Sequence, residues 1–345
     1  MDHGTGIMRV AELAAATGAM KRASAARIVV AGLLLCAGAG AALAQSSYPT
    51  RPVRAVVAWP AGGAADLTGR VISQGLSQQL GQQVIVDNRG GASGAIGAGL
   101  VAKAPPDGYT LLAGGVSELV LNPQIAKVPY DTLRDFAAVT PFAFGYYVMV
   151  VHPSLPARTV KEFIALAKAR PGELRYASGG TGSNLSLVAE LLKTISGINV
   201  AHIPYKGGGP AGVAVMAGES QMMFSTIASA HPLVESKRLV ALAVTGPKRS
   251  PMLPRVPTFG ESGVAGMDVG LWFALLAPAG TPPEIVARLN SEVVKFAGSA
   301  DYRAQLAKLG FEPFTLSPDK SSAFLKTEFE RWGKVISAAE IKGTR

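Results

Sequence analysis

From Val53 onward, short apolar runs alternate with amphipathic segments. Val53 to Trp59 predicts a buried strand, and Leu67, Val71, Leu76 and Leu80 then fall close to one helical face. Val84-Ile85-Val86 predicts a second strand, Ile96 to Lys103 a second helix and Tyr109 to Ala113 a third strand. Later helices carry start signals. Thr159-Val160-Lys161-Glu162 and Thr281-Pro282-Pro283-Glu284 both fit a capping box, in which the Thr hydroxyl and the Glu carboxylate satisfy free N–H groups. Ile285, Leu289, Val293 and Phe296 continue the second as an apolar stripe. A last helix is expected from about Asp319 to Ala338, burying Phe324, Leu325, Phe329, Trp332 and Ile336. Strands alternating with helices imply an α/β fold with mainly parallel sheets. No fixed-period repeat is visible.

Two strongly apolar strands, Tyr146 to Val151 and Leu271 to Ala277, lie far apart, and each is followed by a Pro-containing loop. They suit two crossings between domains. The expected division is a first lobe from residues 45–148 plus 275–345 and a second from 149–274, after an N-terminal segment 1–44.

The strongest local signal recurs three times. Trp59-Pro60-Ala61-Gly62-Gly63-Ala64-Ala65-Asp66 links a strand to a helix. Ser178-Gly179-Gly180-Thr181-Gly182-Ser183-Asn184 does the same, and Tyr205-Lys206-Gly207-Gly208-Gly209-Pro210 opens a third helix with Pro210 at its first position. Glycine lets the backbone turn sharply and approach a ligand. A helix start presents unpaired N–H groups and partial positive charge, which suits an anion. Each loop is equally readable as an ordinary strand-to-helix turn, with Asp66 and Ser183 serving only as caps. If the first loop holds an anion through Ala61, Gly62 and Gly63, a side chain at Gly63 would block approach or strain a positive-φ turn. Lys206 is expected to face solvent beside its loop.

Composition narrows the function classes. Hydrophobic residues make up 48% of the 345 and charged residues 16%, so the chain can bury a large core and is not of the disordered type. The formal charge is +10, but the basic residues are scattered, the longest runs being pairs such as Lys21-Arg22 and Lys237-Arg238. No basic stripe interleaved with aromatics occurs, so nucleic acid is not an expected partner. Lys21, Arg22 and Arg27 precede the apolar stretch Ile28 to Leu43, and Ala42-Leu43-Ala44 closes it. This is the layout of a secretory signal peptide cleaved after Ala44. The stretch is shorter than the roughly 20 residues that span a bilayer, against the alternative of a membrane anchor. Leu35 before the single cysteine, Cys36, does not suit a lipoprotein. Met20 is an alternative start to Met1. The expected location is the periplasm, and the mature protein would have no cysteine.

Several chemistries lack their motifs. His152, His202 and His231 have no metal-ligand spacing. Gly91-Ala92-Ser93-Gly94-Ala95 misses the nucleophile elbow at Ala95, and Tyr176 stands where Ser178 would need glycine. No glycine loop ends in Gly-Lys-Ser/Thr. Gly97-Ala98-Gly99-Leu100-Val101-Ala102 matches the loose dinucleotide fingerprint, with Glu118 at about the expected ~20 residues on. The match begins well after the strand ends, so close helix packing through small residues explains it better.

The loops and their flanks resemble the Bug-type periplasmic substrate-binding proteins of the tripartite tricarboxylate transporter family, over nearly all of residues 46–340. The resemblance is carried by Pro49-Thr50-Arg51-Pro52-Val53, Trp59 to Asp66, Val86-Asp87-Asn88-Arg89 and Pro106 to Leu111. It continues through Tyr130-Asp131, Asp135-Phe136, Tyr176 to Glu190, Pro204 to Ala211, Leu253 to Thr258, Glu261-Ser262-Gly263, Trp272 and Ala277 to Pro282. It implies a two-lobed venus-flytrap of the periplasmic-binding-protein type, each lobe a mainly parallel sheet flanked by helices. It also implies a small carboxylate held mostly by backbone N–H groups and ordered water. The partners it implies are integral-membrane subunits of a tripartite tricarboxylate transporter or a sensor. The ligand-binding candidates are Trp59, Ala61, Gly62, Gly63, Asp66, Ser117, Ser178, Thr181, Gly182, Ser183, Asn184, Tyr205, Lys206, Gly207 and Ser225. No cofactor, metal or catalytic residue is expected, and the chain is read as a monomer. Three positions depart from the family pattern: Gly90 replaces a usual proline, Ser186 a common histidine, and Ser225 an acidic or amide residue. The last two leave the identity of the ligand open. The competing function is an exported, hydrolase-like α/β enzyme using a loop serine.

Overall fold

The structure is a computed structural model that describes residues 48–338. The apolar run Ile28–Leu43, the cleavage expected after Ala44 and Cys36 lie outside the described residues. The compact unit that begins at Arg51 holds every element below.

Strands β1 (Val53–Val57), β2 (Val84–Asn88) and β3 (Thr110–Gly115) pair in parallel, with β1 in the middle. Four of the five β1 residues are buried, as a parallel strand covered on both faces requires. Beside β3 the sheet turns antiparallel. Strand β9 (Gly270–Pro278) pairs with β3 on one side and on the other with β4 (Phe136–Val151), a strand of 16 residues. β4 serves two groups of strands. Its first part, Phe136 to Tyr146, pairs with β9, and Ala143 to Gly145 also pair with β10 (Phe311–Pro313). Its second part, from Tyr147 to Val151, lies between β7 (Met222–Thr226) and β8 (Val240–Val244). β7 then leads through β5 (Arg175–Ser178) to β6 (Ala201–Pro204) in parallel. The sheet is therefore mixed, parallel in its outer strands and antiparallel where β4 and β9 join the two groups.

Ten helices are described: α1 (Ala64–Leu80), α2 (Ala95–Ala102), α3 (Asn122–Ile125), α4 (Val160–Ala169), α5 (Asn184–Ser196), α6 (Gly208–Met216), α7 (Ile227–Glu235), α8 (Pro283–Ala297), α9 (Ala300–Lys308) and α10 (Pro318–Ala338). None of the described helices is long and apolar enough to cross a membrane. The capping box at Thr159 forms, with Glu162 N–H donating to Thr159 Oγ1 and Thr159 N–H donating to Glu162. The one expected at Thr281 does not. Pro282 occupies the cap position, and the Thr281 hydroxyl donates to Pro278 O at 2.8 Å. The inward face of α1 also differs from the apolar count. Leu67 is 39% exposed, while Asp66, Thr68 and Ser73 are buried beside Ile72, Leu76 and Leu80. Thr68 hides its hydroxyl by donating to Ala64 O at 2.7 Å.

Helix α10 buries Leu325, Trp332 and Ile336 as expected, leaves the expected Phe324 and Phe329 only half-buried, and packs on both β4 and α5. Trp272 on β9 donates its indole N–H to Glu328 of this helix at 2.9 Å in a buried contact. The dinucleotide-like glycines sit inside α2. A Cβ at Gly97 would stand 2.7 Å from Arg89 O and 2.8 Å from Ala58 Cα, so this glycine lets the helix press against the end of β1.

Candidate functional site

A cavity of about 440 Å³ lies between the two strand groups. Its walls are helix starts. Gly63, Ala64 and Ala65 from the N-terminus of α1 line it, as do Asn184 and Leu185 from α5, and Gly208 from α6. Thr226, the cap of α7, completes that side. Neither Gly63 before α1 nor Gly207 before α6 supplies a side-chain cap, so the first-turn N–H groups of both helices stay available to a partner in the cavity. Leu271 and Phe273 of β9 give an apolar wall. Among the described residues, no lysine or arginine lines the cavity, and the one ionisable side chain in its wall is Glu118.

Asp66 organises the first loop. Its carboxylate accepts Gly62 N–H at 2.8 Å, Asn88 Nδ2 at 3.0 Å and Arg70 Nε at 3.0 Å. Asn88 Nδ2 also donates to Trp59 O, which closes the loop on β2. Burial opposes ionisation of Asp66, but the hydrogen bonds from Arg70, Gly62 and Asn88 outweigh it and hold its pKa below the ordinary carboxylate value. Gly62 takes φ +88° and spends its N–H on Asp66. Gly63 has φ −83°, so the positive-φ turn expected there belongs to Gly62 alone.

Glu118 stands in a π-helical turn, Ser117–Leu121, directly after β3. It is completely buried. Its Oε2 accepts Trp59 Nε1–H at 2.8 Å and its Oε1 accepts Gly115 N–H at 2.7 Å. Burial is the larger influence and pushes its pKa up to about 7, against the lowering effect of these two donors. Tyr130 OH donates to its backbone carbonyl at 2.6 Å. Trp59 therefore offers the cavity the body of its ring, its N–H being committed to Glu118.

Of the residues expected to bind ligand, Trp59, Ala61, Gly63, Ser117 and Asn184 line the cavity. The others stand behind it or away from it. Gly62 and Asp66 shape the first loop, and Ser183 caps α5 by accepting Ser186 N–H. Gly182, at φ +74°, is packed against Ile125 of α3; Thr181 belongs to the same turn, off the lining. Gly207 caps α6 one residue before the lining Gly208. Tyr205 OH donates to Glu219 at 3.2 Å, Lys206 is exposed, and Ser225 is buried in β7 next to the lining Thr226. Glu118, Leu185, Gly208, Thr226 and Phe273 were missed. For Glu118 a signal existed, a lone charge inside the apolar run Val116 to Leu121.

Ser178 bears on the enzyme alternative, because its Oγ lies 2.6 Å from His202 Nε2. The hydroxyl is fully buried, lies off the cavity and is also bonded to both Gly180 N–H and Gly180 O. His202 stacks on Tyr176 with ring centroids 4.6 Å apart, and Tyr176 OH is held by Glu190. The pair latches the glycine loop and faces no substrate space. No cluster of side chains suited to a metal occurs among the described residues.

The profile of the family described as "Tripartite tricarboxylate transporter family receptor" matches residues 68–341. Three solved structures share the fold over most of the chain. One is the R. palustris protein Rpa4515 with adipate, 37% identical with a TM-score of 0.78, covering 86% of this chain and 100% of that one. The periplasmic binding protein BugD is 30% identical with a TM-score of 0.74 over the same shares. MatC (Rpa3494) from Rhodopseudomonas palustris, with bound malate, is 30% identical with a TM-score of 0.73, covering 84% and 100%. The family is one of receptors, and BugD is a periplasmic binding protein. The chain belongs to the tripartite tricarboxylate transporter family of receptors, with the α/β periplasmic-binding-protein fold.

Proposed function

We propose that this receptor is exported through a signal peptide ending at Ala44 and binds a small carboxylate in the cavity between β1–β3 and β5–β7. The observation that carries the reading is the lining: starts of α1, α5 and α6 converge on a space with no lysine or arginine. Backbone N–H groups and helix dipoles are the positive ends such a cavity has to offer, and they suit an anion. The adipate and malate of its neighbours are of that class. Of the expected donors, Gly63 joins Ala64 and Ala65 at the start of α1, while Gly62 is already engaged. Asn184 and Gly208 face them from the other side.

The two lobes are proposed to divide between Tyr146 and Tyr147, where β4 changes partners, and before Gly270. These points replace the expected 148/149 and 274/275 because Gly270 to Ala274 pair with the first part of β4. The lobes would close on the ligand by hinge motion. Delivery to integral-membrane transporter subunits or to a sensor is part of the proposal; the family's description as a transporter receptor supports the first.

The test is thermal unfolding of the purified mature protein with adipate, malate, succinate, citrate and benzoate. A binder present at 100 times its Kd stabilises by about 2.7 kcal/mol, and nuclear magnetic resonance of the ligand should show it unchanged after hours. Unfolding temperatures that stay flat for all five compounds at millimolar concentration would reject the carboxylate reading.

A further inference from the structure

We propose that Glu118 selects the charge of the ligand, so that the cavity binds an anion together with one proton carried on this side chain. The inference rests on the carboxylate reading above and adds the proton to it.

The argument is geometric. Glu118 lines the same cavity as the α1 start, and no cation lines it to compensate two negative charges. The carboxyl is completely buried, so water cannot screen it. Its neutralisation rests on the donors Trp59 Nε1 and Gly115 N–H, one to each oxygen. The contacts at its side chain are uncharged: Trp59 from the first loop, Gly94 from the turn before α2, and Gly114 and Gly115 from β3. Helices α2, α3 and α10 also pack on its turn, and no charged group among the described residues shifts its ionisation. Tyr130 is a titratable group against it among the described residues, its hydroxyl bonded to the Glu118 carbonyl. Without ligand, burial already balances Glu118 near neutrality, at about 7. A second negative charge roughly 6 Å away, at an effective dielectric constant of ~20, favours the neutral carboxyl further, by roughly a hundredfold.

The protonation states follow from linkage. Near pH 8 binding shifts Glu118 from its ionised toward its neutral form, so binding takes up a proton. As pH rises from 6 to 9, affinity for a fully ionised ligand falls more than tenfold. Once neutral, the carboxyl keeps a carbonyl oxygen to accept one of the two N–H groups, from Trp59 or Gly115.

The experiment is calorimetric titration of the mature protein with adipate and with malate, at several pH values between 6 and 9, in buffers of low and high ionisation enthalpy. The expected result is proton uptake near pH 8 with the affinity loss just given. Glu118→Gln should abolish the uptake and flatten the pH profile, whatever its absolute affinity, because its amide oxygen can accept only one of the Trp59 and Gly115 N–H groups. Binding of either ligand by the wild type with no proton uptake and no pH dependence overturns the inference while leaving the carboxylate reading intact. Unchanged uptake in Glu118→Gln overturns it as well. No binding of either compound, nor of succinate, citrate or benzoate, at any pH rejects the carboxylate reading itself, and this inference with it. Should Glu118→Gln fail to fold, the wild-type proton count decides alone.

Discussion

The backbone N–H of Gly62 donates to Asp66 Oδ2 at 2.8 Å, across the start of α1. A carboxylate at a helix start looks like a competitor for an anionic ligand, yet this one is spent on the protein. Gly62, Arg70 and Asn88 together use both of its oxygens. Asp66→Ala should therefore act through the loop. Loss of a buried acceptor shared by three donors should cost about 1–3 kcal/mol of stability, read from urea unfolding, and carboxylate binding should weaken with it. The pH dependence has a definite sign. The folded pKa lies below the unfolded one, so the contribution is complete above about pH 4 and is lost as pH falls below that range. In Asp66→Ala the acid-side loss of stability should be smaller than in the wild type. Equal acid sensitivity in the two would mean the carboxylate does not hold this loop.

Gly62 and Gly63 should respond differently to a methyl group. Gly62 takes φ +88° with open space where a Cβ would stand, so Gly62→Ala is opposed by the backbone alone, by roughly 1–2 kcal/mol. Gly63 has an ordinary φ of −83°, and its nearest atom to a Cβ is Pro60 O at 3.9 Å. Gly63→Ala should stay within about 0.5 kcal/mol of wild-type stability. Chemical unfolding of both variants checks the order. Equal losses would place the strained turn elsewhere.

The Ser178–His202 latch should show as a pH effect on folding. Burial is the main reason that the His202 pKa lies below the ordinary histidine value; Lys193 adds to the lowering and Glu190 opposes it. A histidine depressed in the folded state stabilises fully above the unfolded pKa. That stability is lost as pH falls from about 6.5 downward, because the unfolded chain takes the proton first. Wild-type stability should thus drop between pH 7 and pH 5.5, and His202→Gln should flatten that slope. Ser178→Ala should cost about 1–3 kcal/mol through the unpaired ring nitrogen and Gly180 N–H. A flat wild-type profile over this range would remove His202 from the account.

Periodicity reveals elements best where burial is continuous. β1, the end of β4 from Tyr146 to Val151 and the apolar stripes of α8 and α10 were legible for that reason, whereas Phe136 to Gly145 of β4 was not. It fails where polar side chains go inside. Asp66, Thr68 and Ser73 satisfy themselves locally or through loop partners, so they hide the true inward face of α1. The antiparallel junction was illegible because nothing local to Gly270–Ala274 names its partner, 120 or more residues earlier in the chain. The glycine loops announced the helix starts but not their aim. Which N–H faces the cavity depends on contacts such as Gly62 with Asp66, visible only in three dimensions. Glu118 was legible as an anomaly in an apolar run, and its meaning came from Trp59, nearly sixty residues away.

Lys206 and Asn184 provide the sharpest contrast for the binding mechanism. Lys206 is exposed and off the cavity, although it belongs to the third glycine loop. Its charge is separated from the ligand space by solvent, which screens it over about 8–10 Å at ordinary salt. Lys206→Ala should change the affinity for a carboxylate by less than about twofold and leave stability within ~0.5 kcal/mol. Asn184 lines the cavity, donates Nδ2–H to Tyr147 OH at 3.1 Å and accepts Leu185 N–H on Oδ1 at 3.0 Å. It ties the start of α5 to β4 at the residue where that strand changes partners. Asn184→Ala frees the helix start to shift and removes a polar group from the wall. A lost hydrogen bond of this kind costs about 1–1.5 kcal/mol, or roughly tenfold in affinity. Calorimetric titration of both variants with adipate, and circular dichroism to confirm their folding, makes the comparison. If Lys206→Ala abolished binding while Asn184→Ala left it intact, the anion would be held by a lysine ion pair, and the backbone N–H mechanism would be wrong.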